Sequence, residues 1–111
     1  MSGLRVPYAR KVVLHCPTGA RFGLAALVEQ FLADGVAWVG AVGVDCGLVE
    51  DIIDEIVVGD GSDDSRFILT SAHPDASIAE VIEFGALVTS AGDGPVQVVE
   101  LRGDVIAHPP A

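Results

Sequence analysis

Cys16-Pro17-Thr18-Gly19-Ala20-Arg21 is the stretch of this sequence whose residue types come nearest to a reaction centre. A cysteine beside the free amides of a helix start and an arginine can give up its proton and attack, and the same donors can bracket an oxyanion. In that reading Cys16 is the nucleophile and Thr18, Gly19, Ala20 and Arg21 form an anion-binding loop. Asp45 or His73 then handles protons. The plainer reading makes Cys16 a small buried hydrophobe and leaves Arg21 in solvent. Cys16, Cys46, His73, Asp45 and Asp75 are also chemically fit to hold a metal, but no CxxC, HExxH or compact Cys/His array fixes them locally. The sequence also lacks a Walker lysine and a three-glycine dinucleotide pattern. No metal and no cofactor are expected.

A second group of residues is marked by charge. Eight of the sixteen acids lie between Asp45 and Asp64, a span that contains no Lys or Arg. Within it Asp51, Asp54 and Glu55 project from the outer side of a helical pattern, which fits a docking face for a basic protein. The run Asp60-Gly61-Ser62-Asp63-Asp64 is oxygen-rich but lacks the ligand spacing and closing glutamate of an EF-hand. The formal charge of −10 disfavours nucleic acid and anionic membrane as partners.

The elements that must position these residues follow from periodicity. Lys11–Cys16 is a short, nearly continuous apolar run, the mark of a strand buried on both faces. From Ala20 to Asp34 the apolar residues recur at helical spacing, and Gly35 supplies a stop. A second strand is expected over 36–44, with Gly40 and Gly43 marking close helix packing or a bend. Asp45 can cap the next helix, whose buried stripe is Leu48, Val49, Ile52, Ile53, Ile56 and Val57. Its like-charged i,i+4 pairs Glu50/Asp54 and Asp51/Glu55 cost a few tenths of a kcal/mol each. Burial of those aliphatic side chains is worth roughly 1.5–3 kcal/mol apiece and prevails. Arg66–Ser71 reads as a third strand. Ser77 and Glu80 have capping-box spacing for a helix to about Val88, with Ala76 and Val81 as its hydrophobic staple. Pro95–Leu101 reads as a last strand at an edge of the sheet.

The alternation β-α-β-α-β-α-β in 111 residues predicts a single α/β domain over 1–111 with a four-stranded parallel sheet. A three-layer sandwich of Rossmann-like or flavodoxin-like topology is expected, in strand order 2-1-3-4, with flexible ends at 1–10 and 107–111. Such a sheet delivers His15, Cys16, Thr18, Arg21, Asp45, Cys46, Ser71, His73, Asp75 and Arg102 to its carboxyl edge, where ligands bind in folds of this kind.

Lys11 to Gly35, a strand followed by the Cys16–Arg21 loop and a helix, resembles the Cys-x-x-Gly-x-Arg active loop of rhodanese-type sulfurtransferases. The resemblance implies a persulfide on Cys16, with Gly19 and Arg21 shaping the loop around it. In that family the cysteine loop follows several strands and lies past the middle of the domain, whereas Cys16 follows the first strand. His15-Cys16 is also similar to cysteine-dependent phosphatases, but the position their arginine would take is Phe22 here. Two functions are therefore expected: recognition or assembly through the acidic surface, or cysteine-dependent sulfur or phosphoryl transfer. The chain carries no apolar signal core, no membrane-spanning run and only two cysteines, so a cytoplasmic protein with free thiols and no disulfide framework is expected, and a homo-oligomer stays open.

Overall fold

A computed structural model describes residues 5–101. The described elements are β1 (Lys11–Cys16), α1 (Leu24–Asp34), β2 (Trp38–Gly43), α2 (Cys46–Val58), β3 (Leu69–His73), α3 (Ile78–Ala86) and β4 (Val96–Glu100). A single 3-10 turn, Thr89–Ala91, lies between α3 and β4. Arg102 and the expected flexible ends, apart from residues 5–10, fall outside the described residues.

All strand pairs are parallel, and the order is β3-β2-β1-β4 rather than the expected 2-1-3-4. The reason lies in side-chain polarity. Val12, Val13 and Leu14 of β1, and Val39, Ala41 and Val42 of β2, are buried, so these two strands take the centre. β3, Leu-Thr-Ser-Ala-His, is half-exposed along its length and suits an edge. β4 lies at the other edge, as expected.

Alternate strand residues feed two core clusters. Val12, Leu14 and Cys16 pack with Leu24, Val28 and Phe31 of α1 and with Val49, Ile53 and Val57 of α2. Val13, Trp38 and Val42 pack with Val81 of α3. The Trp38 indole fills the space between Gly40 and Gly85: a Cβ on Gly40 would strike the ring, and one on Gly85 would lie 2.6 Å from Cζ3. Gly40 thus marks close helix packing. Lys11, also buried, donates from Nζ to the Gly85 carbonyl at 3.0 Å, a cation placed at the negative end of α3.

Local signals decide where the helices begin. α3 has the full Ser77/Glu80 capping box. Its proposed staple residues, Ala76 and Val81, belong to the same cluster. α1 starts four residues later than its periodicity suggests, because Gly23 takes a left-handed conformation at the N-cap and residues 17–23 remain a loop. β3 runs on to His73 instead of ending at Ser71, since its pairing with β2 continues to Val42 and only Pro74 withdraws the next N–H.

Candidate functional site

The Cys16 loop is built as part of the core. Cys16 is fully buried among α1 and α2 side chains, and its Sγ lies 3.8 Å from the Leu14 carbonyl oxygen. Burial pushes its thiol up to about 11, and neighbouring Cys46 adds to the effect. At neutral pH the sulfur therefore holds its proton, the opposite of what a nucleophilic thiolate needs. Both cysteines are free thiols. Gly43, at φ 109°, lets β2 end close against β1; a Cβ there would collide with the Cys16 carbonyl oxygen, and the Val44 amide donates to that oxygen at 2.8 Å.

The surrounding loop is occupied by its own bonds. Ala20 N–H donates to Thr18 Oγ1 at 3.3 Å, and Arg21 donates from Nη1 to the Gly19 carbonyl at 3.2 Å. Arg21 precedes α1 rather than standing in its first turn. Asp45 lies close by: its Oδ2 is 3.1 Å from the point a Cβ on Gly19 would occupy. That carboxylate opposes an anion beside Gly19. Asp45 holds the N-cap position of α2 in a left-handed conformation, φ 56°, without a side-chain bond to the helix amides.

His73 is kept apart from Cys16. Cys16 belongs to the α1/α2 side, while the His73 ring meets Phe84 of α3 edge-on, with centroids 4.6 Å apart. Nε2 of His73 lies 2.8 Å from Ser71 Oγ, and the same oxygen accepts the Trp38 indole N–H at 3.2 Å. The Ser71–His73 distance is that of a nucleophile and its base. Ser71 Oγ also accepts from a nearly buried indole donor, which gives its hydroxyl a structural duty. The i,i+2 spacing in β3 makes this pairing readable from sequence; the Trp38 contact, made across strands, is not.

The acidic region is open. Asp51, Asp54 and Glu55 are exposed on α2, and Asp51 and Glu55 have no side-chain partner among the described residues. Asp54 Oδ1 and Glu50 Oε2 both accept from the Thr70 hydroxyl, at 2.6 and 3.2 Å. At the end of α2, Asp54, Glu55, Val58 and Gly59 border a shallow hollow of about 340 Å³, with Val58 59% exposed. Three acids near this hollow, Asp60, Asp63 and Glu29, are already employed. Asp60 and Asp63 accept from the backbone and hydroxyl of Ser62 and Ser65, which lowers both carboxyls and explains the oxygen-rich run as two turns. Glu29 receives two bonds from Arg66, whose guanidinium also reaches the Ile56 and Val57 carbonyls. Among the described residues no three His, Cys, Asp or Glu side chains are grouped to hold a metal, and no helix is long and apolar enough to cross a membrane.

A family profile described as a domain of unknown function, DUF7684, matches residues 6–108. No match was found among curated proteins or among solved structures.

Proposed function

We propose, for a chain that belongs to the DUF7684 family of domains of unknown function, that it acts by recognition, docking a basic segment of a partner protein on the outer face of α2. One observation carries this reading: the hollow where Val58 stands exposed beside the Asp54 and Glu55 carboxylates. A lysine or arginine suits such a place, its methylenes lying on Val58 and its charged head reaching the acids. Asp51, one turn earlier, extends the field that steers the partner in. The Rossmann-like, three-layer reading of the fold is supported by the order 3-2-1-4, which begins the doubly wound order, and by the two separate core clusters. The free thiols support a reducing compartment, the cytoplasm.

The test is a calorimetric titration with a short lysine-rich peptide at low and moderate salt. Replacing Asp51, Asp54 and Glu55 together by Lys is expected to weaken binding at least tenfold. The same change at Asp75, Glu83 and Asp93, which alters net charge equally, is expected to weaken it far less. Equal losses in the two variants would reduce the effect to overall charge and end the proposal.

A further inference from the structure

Strand β3 carries the observations furthest. It has β2 on one side and no strand on the other among the described residues. The Leu69 amide donates to the Ala37 carbonyl at 2.9 Å, so Leu69, Ser71 and His73 turn their backbone groups toward β2. By the period of two, Thr70 and Ala72 turn theirs outward. Natural edges are blunted by lysine, proline, a bulge or a covering element. Leu69–His73 contains neither lysine nor proline, and its register with β2 is unbroken.

The two sides of this edge differ in chemistry. On the α2 side, the Thr70 hydroxyl sits between Glu50 and Asp54. On the α3 side lie Leu69, 40% exposed, and Phe84, 45% exposed, with Phe67 in line two residues before Leu69. A strand laid along β3 would send alternate side chains to an acidic side and an apolar side. We infer that the partner adds an extended segment of alternating basic and apolar residues to the open edge of β3. This rests on the recognition reading above and gives its partner a conformation. A second copy of this chain fits worse: pairing β3 with itself across a two-fold axis would bring the Glu50 and Asp54 carboxylates of both copies to one seam.

The experiment uses the full chain and a synthetic peptide of alternating Lys and Val, plus two versions N-methylated at one or the other alternate set of residues. N-methylation removes the donors needed for pairing and leaves charge unchanged. Expected are a loss of at least tenfold in affinity for one methylated set, a change within twofold for the other, and slowing of amide exchange by at least tenfold at Thr70 and Ala72 on peptide binding. Equal affinities for all three peptides, or unchanged exchange at both amides, would overturn strand addition. If that binding were still lost on reversing Asp51, Asp54 and Glu55, recognition by α2 would stand without it; if it were not, both would fall. Protection of Thr70 and Ala72 that rises with protein concentration in the absence of peptide would overturn the proposal in favour of self-pairing.

Discussion

The Cys16 loop and the α2–β3 edge make opposite use of their residues. The loop holds the side chains that suggest chemistry, and the fold consumes them: the thiol is sealed under two helices and Arg21 is bonded to its own loop. The edge holds commonplace residues, Asp, Glu, Thr, Leu and Val, and leaves many of them accessible. Side-chain type nominates a site, but what remains unspent after folding decides what a surface can bind.

The largest expected effect comes from unsealing the first region. Gly43→Ala combines a left-handed backbone with a collision at the Cys16 carbonyl, each worth roughly 1–3 kcal/mol. Urea unfolding is expected to show a loss of about 3 kcal/mol. A loss under 1 kcal/mol would mean that the β1–β2 closure is looser than the geometry indicates. Second in size is Arg66→Met, which strips the Ile56 and Val57 carbonyls of their donor and frees Glu29. About 1–2 kcal/mol should be lost in the same assay. An unchanged midpoint would show that Arg66 is dispensable to the end of α2.

Alkali tests the burial of Cys16 directly. A cysteine thiol ordinarily titrates near 9.0, and burial pushes that of Cys16 up to about 11 in the fold. Between these values the unfolded chain binds fewer protons than the folded one, so stability contributed by the buried thiol is present below pH 9 and lost as pH rises toward 11. Unfolding followed over that range should show a decline that Cys16→Ala, otherwise less stable, largely lacks. Alkylation of Cys16 by iodoacetamide at pH 8 should require unfolding. Rapid labelling of the native protein would restore the thiolate reading.

Much of the fold was legible because its signals are local. The capping box at Ser77 needs two residues three apart, and the stripes of α2 need one helix. Strand order is a long-range property, yet a clue was present: Thr70, Ser71 and His73 make β3 too polar for the centre, where β1 and β2 have almost uninterrupted aliphatic runs. The expected convergence of Cys16 with His73 depended on that order and on strand parity, and these place the two residues toward different helices. Asp51, Asp54 and Glu55 could be found from charge and period alone. Val58 lies off the buried stripe, four residues after Asp54, but the hollow it forms with Asp54 and Glu55 is visible only once the helix end is packed.

The smallest effect is expected where the contrast is sharpest. Asp54→Lys gives up one bond from Thr70, which Glu50 still accepts. It also turns the like-charged Glu50/Asp54 pair into an opposite-charged one and puts a cation near the negative end of α2. These contributions of a few tenths of a kcal/mol oppose each other, so stability should stay within about 0.5 kcal/mol of the parent. Binding of the lysine-rich peptide should nevertheless fall several-fold. A stability loss above 1 kcal/mol would mean that the fold itself depends on this carboxylate, and the acidic face would then belong with the Cys16 loop among residues already spent on structure.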